Sequence, residues 1–216
     1  MEEQPGQVLL LNKPLRWTSF DVVNKIRHKL KTKKVGHAGT LDPLATGLLI
    51  ICTGKMTKRI DEFQAQEKEY TGKFVLGQTT PSFDLETQVS EAQDISSITN
   101  ESINSVAQKF IGAIQQVPPI HSAIRINGKR AYALARKGKE PELKAREIII
   151  KEFEITSIEK PVVGFRVVCS KGTYIRSLVR DFGEALDTVA YLSELCRTRI
   201  GGFKLEDALS LDQVPD

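Results

Sequence analysis

The stretch Gly36-His37-Ala38-Gly39-Thr40-Leu41-Asp42-Pro43-Leu44-Ala45-Thr46-Gly47 decides how the rest of this chain is interpreted. It places a carboxylate, Asp42, on a loop rich in glycine, with the imidazole of His37 shortly before it. Glycine permits positive φ angles and lets a ligand approach the backbone, and Pro43 fixes the chain just after the carboxylate. Since a residue before proline avoids the helical region, we expect Asp42 to be extended. An Asp-Pro pair is also typical of a surface turn, so the stretch alone leaves both interpretations open.

The segments around this stretch favour a functional site. Val8–Leu11 and Leu48–Cys52 are short apolar runs that predict buried strands. Between them, Thr18-Ser19-Phe20-Asp21 resembles a capping box and predicts an amphipathic helix over residues 19–31. A loop held between core elements is fixed more firmly than a free surface turn.

The remaining pattern predicts an α+β fold. Further strands are predicted at residues 70–76, 148–158 and 164–170, and further helices at 57–64, 101–111, 175–186 and 188–197, with one helical turn at 205–209. Residues 78–100 read as a polar connector, which we expect to be exposed and mobile. Because irregular insertions separate the strands, we predict a mixed, largely antiparallel sheet flanked by helices rather than a regular βαβ array.

Charge is distributed unevenly along the 216 residues, although the net charge is only +4. Residues 25–34 carry six Lys or Arg and no acid, and residues 125–146 carry eight against two acids. A charge run is often only a solvated face, but two separate basic patches favour a polyanionic partner. We read residues 118–147 as a protruding basic insertion in one catalytic domain spanning 1–216, with a hairpin turn at Asn127-Gly128 and a short helix near 131–136.

Several classes of protein are excluded by what the sequence lacks. No apolar run approaches the roughly 18 residues that span a bilayer, and residues 1–5 are unlike a signal peptide. The three cysteines form no Cys-x-x-Cys pair, which fits a reducing, cytoplasmic location. The three histidines have no metal-ligand spacing, and no nucleotide-binding fingerprint is present, so we expect neither metal nor cofactor.

The side chains left as candidates for catalysis are therefore a carboxylate, arginines and tyrosines. A carboxylate acts as nucleophile or general base, a nearby arginine keeps it ionised, and an aromatic ring can stack on a base. Tyr70, Tyr174 and Arg176 are the candidates near predicted strand ends. Taken singly, such residues are more often core-edge aromatics or members of surface ion pairs.

Several of these residues lie in motifs that resemble those of a known family. The stretch 36–47 is similar to the signature of the TruB-type tRNA pseudouridine synthases. Further matches follow in order at Lys13-Pro14, Lys68-Glu69-Tyr70, Gln116–Ala123 and Ser170–Arg176, so the resemblance covers essentially the whole chain. It implies a pseudouridine-synthase fold and isomerisation of uridine 55 in the T-arm of tRNA.

The resemblance also implies roles for residues around the reacting base. Asp42 matches the catalytic aspartate, and His37 the histidine that contacts the RNA and holds its flipped-out conformation. Tyr70 matches the aromatic residue that stacks on the extruded base, and it is a candidate for removing the C5 proton. The implied chemistry breaks the C1′–N1 bond and rejoins the uracil through C5, with no redox change and no cofactor. Attack on the sugar, addition to the base and removal of a sugar proton remain open paths for Asp42.

The other implied roles concern substrate contact and support. Tyr174 matches a substrate contact, Arg176 the partner of the aspartate, and Leu195 an apolar contact near the base. Lys13 and Pro14 match a motif that supports the catalytic loop.

The sequence departs from the family pattern at secondary positions. Pro81 stands where many relatives carry Asp, Tyr191 replaces a frequent His, and Cys196 stands where Arg is common. These departures concern secondary RNA contacts and not the core chemistry. Since the chain ends at Asp216, we also expect no C-terminal PUA domain and no guide RNA. We further expect a monomer that acts on tRNA. The alternatives are a non-catalytic RNA-binding protein, a guide-RNA-dependent synthase and a small-molecule isomerase.

Without a PUA domain, the basic insertion is expected to bear more of the tRNA binding. Charge reversal at Lys129, Arg130 and Lys137 should then weaken tRNA affinity, because each removes a cation that contacts phosphate. Filter binding with a tRNA transcript measures this. Unchanged affinity in the triple variant would contradict the assignment.

Overall fold

The computed structural model describes residues 5–120, 125–126, 129–130 and 143–215, the two dipeptides by their backbone alone. The chain divides into two compact units, the first comprising Met1–Thr71 with Glu194–Asp216 and the second Gly72–Ser193. Both contain strands and helices, and the expected α+β class with a mixed, mostly antiparallel sheet is confirmed. That residues 1–216 form a single catalytic domain stays a prediction.

The first unit is organised around one long strand. Its elements are β1 (Val8–Lys13), α1 (Ser19–Lys29), β2 (Val35–His37), β3 (Ala45–Thr53), a 3₁₀ turn (Gly54–Arg59), α2 (Ile60–Ala65), the first part of β4 (Lys68–Leu76), the last part of β10 (Ala190–Ile200), β11 (Phe203–Lys204) and a 3₁₀ turn (Leu205–Asp207). The strand order is β1-β3-β10-β4, with β2 also on β3 and β11 on β10. β1 pairs antiparallel along β3, whereas β10 runs parallel to it with Leu195 opposite Ala45.

β3 is buried on both faces. Leu49 and Ile51 pack into a cluster with the apolar face of α1, while Leu48, Ile50 and Cys52 pack into a second cluster with Phe63 of α2. Because successive side chains of a strand point to opposite faces, a continuous apolar run is what a strand covered on both sides requires. This burial anchors the end of the Gly36–Gly47 stretch.

The capping box of α1 is confirmed. The Thr18 hydroxyl accepts a hydrogen bond from the Asp21 backbone N–H at 3.0 Å, and the Asp21 carboxylate accepts one from the Thr18 backbone N–H at 2.8 Å. The helix then buries Val22, Val23 and Ile26 completely or nearly so. Its start follows the sequence prediction, and its end comes slightly earlier.

The second unit has its own strand order and its own core. It holds the rest of β4, α3 (Asn100–Lys109), β5 (Gly112–Gln116), β6 (Arg125–Ile126), β7 (Lys129–Arg130), β8 (Arg146–Glu159), β9 (Val162–Cys169), α4 (Ile175–Glu184) and the start of β10. The order is β10-β4-β9-β8-β5. The core contains a cluster of aromatic rings with centroids 5.0–6.3 Å apart, formed by Phe74, Phe110, Phe153, Phe165 and Phe182.

Within the basic insertion, β6 and β7 pair antiparallel with Ile126 opposite Lys129. This pairing is what the predicted hairpin requires on either side of Asn127-Gly128. The turn itself and the helix predicted near 131–136 lie outside the described residues, as do the side chains of Lys129 and Arg130.

Two sequence predictions are wrong. Most of the helix predicted at 188–197 is strand, since β10 begins at Ala190. Pairing with β3 and β4 satisfies this segment's backbone and overrides its local helical pattern. The connector 78–100 is not uniformly exposed, since Thr80, Ser82 and Asp84 are buried and Leu192 donates a backbone hydrogen bond to Phe83. Its mobility stays a prediction. Strand β5 was not predicted.

Candidate active site

Asp42 lies on the loop that joins β2 to β3, here called the Asp42 loop (residues 38–44). Ser19, at the start of α1, holds it from one side, since the Ser19 hydroxyl accepts a hydrogen bond from the Leu41 N–H at 2.9 Å and lies 3.2 Å from the Leu41 carbonyl oxygen. The Asp42 carbonyl accepts from the Ala45 N–H at 3.0 Å. The backbone on either side of the carboxylate is therefore fixed by direct contacts.

A buried lysine, Lys13, also holds the Asp42 loop. Lys13 is fully buried, and its ammonium donates to the backbone carbonyl oxygens of Pro14, Trp17 and Pro43 at 3.0, 2.6 and 3.3 Å. Burial lowers the pKa of Lys13 to about 8, an effect that the Asp42 carboxylate opposes and Arg197 reinforces. Lys13 is therefore hydrogen-bonded to the Asp42 loop at Pro43, and the role that the motif implies stays a prediction.

His37 is the last residue of β2, directly before the loop. Burial lowers the pKa of its imidazole, and the positive charge of Arg197 lowers it further, while a backbone hydrogen bond with Gly39 acts in the opposite direction. The ring is therefore neutral at pH 7. Its Nδ1 is buried and makes no hydrogen bond of ordinary geometry within the described residues.

Two more predicted residues belong to strands of the first unit. Tyr70 is buried in β4 with 8% exposure. Leu195 lies in β10 opposite Ala45, the residue that directly follows the Asp42 loop. Lys13, His37, Tyr70 and Leu195 therefore share a unit with Asp42.

Arg176 lies at the start of α4 in the second unit and is buried there. Its Nε lies 3.4 Å from Asp84 Oδ2, and its Nη1 donates to the Ser82 carbonyl at 3.1 Å. Asp84 is held in turn by the Ser82 hydroxyl at 2.6 Å and the Glu86 N–H at 3.0 Å. This ion pair accounts for burial in the connector, and sequence reasoning missed it. The pairing of Arg176 with Asp42 that the resemblance implies stays a prediction.

Tyr174 is held by its backbone and by its ring. Gln116, fully buried at the end of β5, accepts from the Tyr174 N–H at 2.9 Å and donates to the Tyr174 carbonyl at 3.1 Å. The Arg146 guanidinium lies 4.6 Å from the centroid of the Tyr174 ring, and it also donates to the Gly172 carbonyl. Gln116 and Arg146 are opposite each other in the β5–β8 pair, where the basic insertion begins and ends.

Known proteins resemble this chain over most or all of its length. A family profile described as TruB family pseudouridylate synthase (N terminal domain) matches residues 27–175. A relative from Phocaeicola vulgatus, named tRNA pseudouridine synthase B, is 54% identical over 100% of this chain and 94% of its own length. This chain belongs to the TruB family. A relative of the same name from Flavobacterium johnsoniae is 52% identical over 95% of this chain and 93% of its own length.

Solved structures similar to this TruB-family chain come from larger assemblies. A chain of a Cbf5-Nop10-Gar1 complex has a TM-score of 0.74 and 33% identity, covering 95% of this chain and 52% of its own. A chain of an H/ACA RNP bound to a substrate RNA containing 2′-deoxyuridine has a TM-score of 0.71 and 31% identity, covering 95% and 51%. The present chain thus spans about half the length of these solved chains.

The described residues of this TruB-family chain were also searched for membrane-spanning helices and metal-binding groups. Among the helices of residues 5–120 and 143–215, none has the length and apolar character that a bilayer crossing requires. The same residues hold no group of three His, Cys, Asp or Glu side chains arranged to bind a metal ion.

Asp84→Asn should destabilise the protein and slow its reaction. The variant removes the carboxylate that pairs with the buried Arg176 guanidinium, and breaking a buried pair costs about 3 kcal/mol or more. Urea denaturation and a single-turnover assay measure the two effects. Asp94→Asn is the matched control, because Asp94 lies in the same connector but is exposed and bonded to Ser96. Equal stability and rate in the two variants would contradict this role of Asp84.

Lys13→Met should change how stability depends on pH. Because the Lys13 pKa is about 8 in the folded protein against 10.5 in the unfolded chain, the unfolded chain binds more protons between these values, and stability rises with pH. From about pH 7.5 to about pH 10, wild type should gain on the order of 2 kcal/mol relative to Lys13→Met.

Urea denaturation at the two pH values measures that difference. The exposed residue Lys58, also in the first unit, supplies the control Lys58→Met, which should follow wild type. Parallel curves for wild type and Lys13→Met would exclude a depressed Lys13 pKa.

Proposed function

We propose that this protein is a tRNA pseudouridine synthase that isomerises uridine 55 in the T-arm. The observation that carries the proposal is the near-complete, 54% identical match to a relative named tRNA pseudouridine synthase B. The Asp42 loop supports it, because its backbone is held by Ser19 and Lys13, as a reacting group requires.

Asp42 is proposed as the catalytic carboxylate. The reaction breaks the C1′–N1 bond, rotates the uracil and forms a C1′–C5 bond, after which the C5 proton leaves and N1 carries a hydrogen. One carboxylate is able to attack C1′, add to the base or remove a sugar proton, and all three paths need Asp42 ionised. Arg176 is proposed as its partner, presented by the contacts that Asp84 and Ser82 make to the guanidinium.

Binding requires that the target base leave the RNA stack, which costs a few kcal/mol. We propose that Tyr70 stacks on the extruded base and that Leu195 contacts its edge. Tyr70 is also the proposed acceptor of the C5 proton. Tyr174, fixed by Gln116 and Arg146, contributes a further substrate contact. The neutral imidazole of His37 contributes a polar contact to the displaced RNA without adding charge.

Recognition of the T-arm is proposed to rest on phosphate contacts and shape. The basic face of α1 and the basic insertion, with Lys129 and Arg130, carry cations suited to a folded RNA. We place the reaction in the cytoplasm, with the protein acting as a monomer. Cys52, Cys169 and Cys196 form no disulfide, as a reducing compartment favours.

Similarity to chains of H/ACA complexes makes a guide-RNA-dependent synthase the second candidate. We favour tRNA as the direct substrate because identity is higher and coverage nearly complete for the relatives named tRNA pseudouridine synthase B. The two candidates differ in whether purified protein alone modifies a bare transcript.

Tritium release from C5-labelled uridine in an unmodified tRNA transcript tests the proposal. Purified wild type should release tritium without any added RNA, and Asp42→Asn should abolish release, because the amide supplies no nucleophile or base. Asp61→Asn, an exposed aspartate of the same unit, should behave as wild type.

Different outcomes contradict different parts of the proposal. No release by wild type would reject the stand-alone enzyme, and release only with an added guide RNA would favour the second candidate. Equal release by wild type and Asp42→Asn would reject the role of Asp42. If the pseudouridine formed maps to a site outside the T-arm, uridine 55 is rejected as the target.

A further inference from the structure

We propose that Arg197 is a positioning residue for this reaction, tying together the two chain segments that enter and leave the Asp42 loop. The inference rests on the proposed function, because it assigns to Arg197 control of the rate of isomerisation. It concerns a residue of β10 to which the sequence resemblance assigns no role.

The contacts of the guanidinium enclose the loop. Arg197 is among the largest fully buried side chains, with 1% exposure. Its Nε donates to the Leu48 carbonyl at 2.8 Å, and its Nη2 donates to the Gly39 carbonyl at 3.1 Å. Gly39 lies at the start of the Asp42 loop and Leu48 lies in β3 just beyond its end. One planar guanidinium therefore links a residue of the loop to the strand that follows it.

The backbone of Arg197 is also fixed against β3. Arg197 lies opposite Gly47 in the parallel pairing of β10 with β3. Gly47 has φ +102°, and a Cβ there would lie 2.4 Å from the Arg197 carbonyl oxygen and 2.7 Å from its nitrogen. Only glycine permits this approach. The guanidinium thus extends from a point whose distance to the loop is set by close packing.

The chemistry of the contacts argues against a general stabilising role. A buried cation is costly to desolvate, and the hydrogen bonds of Arg197 go to backbone carbonyls rather than to a carboxylate. Arg199, two residues along the same strand, shows the ordinary alternative, with an ion pair to Glu67 at 2.9 Å and a hydrogen bond to Gly201. The planar fork of arginine, which binds two acceptors in fixed directions, is what the Arg197 site uses.

Arg197→Lys is the decisive variant. It keeps the charge and most of the volume, but a single ammonium cannot reproduce the two directed bonds of the fork. We expect the single-turnover rate on a tRNA transcript to fall about 100-fold, the scale of a misplaced reacting group, with tRNA affinity unchanged. Arg199→Lys is the matched control and should keep both wild-type values.

Hydrogen exchange measured by mass spectrometry separates positioning from general destabilisation. In Arg197→Lys, peptides covering residues 38–48 should exchange faster, while peptides covering α1 keep wild-type rates. Arg197→Met, which removes the charge as well, should show the same pattern. If Arg197→Met does not fold, Arg197→Lys alone decides the question.

Three results would overturn the inference. They are a wild-type single-turnover rate in Arg197→Lys, a loss confined to tRNA affinity, and faster exchange spread evenly over the chain. Failure of the proposed function is distinguishable, because wild type and Arg199→Lys would then release no tritium. The local exchange pattern in Arg197→Lys would still test whether Arg197 holds the loop.

Discussion

Burial of β3 on both faces is the constraint on which the first unit depends. Leu49 and Ile51 enter one apolar cluster and Leu48 and Ile50 the other, so a shift of one residue would exchange the two sets. With β1 paired along its full length, the register of β3 is fixed. The Asp42 loop runs directly into this strand, and its end is therefore set by the core rather than by the loop's own residues.

The loop is then held through its peptide groups. Lys13 and Arg197 donate to backbone carbonyls, and Ser19 accepts from a backbone N–H. Peptide groups do not titrate, so the acceptors of these bonds persist whatever the charge on Asp42. The arrangement keeps the Lys13 ammonium near enough to the carboxylate to interact with it, while the backbone geometry of the loop is maintained independently. That combination suits a group that must remain ionised and accurately placed.

Sequence reasoning was reliable where the cause of a structure is local. A few neighbouring residues determine the capping box at Thr18 and Asp21, and the same is true of the buried strand at Leu48–Cys52. Both predictions were confirmed. Residues 188–197 failed because their strand state comes from pairing with β3 and β4, which lie far away along the chain. The predictable part of the site was the signature loop itself.

The supporting residues were out of reach for the same reason. Asp84 and Arg176 are far apart in sequence, as are Arg197 and Gly39, and no periodicity connects them. Gln116 lies inside a matched motif, but that motif does not predict the two hydrogen bonds that its side chain makes with the Tyr174 backbone. Such contacts depend on which strands become neighbours, and the pattern of one sequence constrains that weakly.

The buried polar side chains offer a physical argument for where the function lies. A polar group inside a protein must be hydrogen-bonded, and a buried cation gains little stability over an apolar residue of its size. In this chain Lys13, Ser19 and Arg197 contact the Asp42 loop or its ends, while Asp84 and Gln116 fix Arg176 and Tyr174. Lys68, which donates to the Gln64 and Gln66 carbonyls, is a buried cation with local partners. Most of these buried polar side chains therefore contact residues with proposed roles. We infer that they are there to place those residues accurately rather than to stabilise the fold.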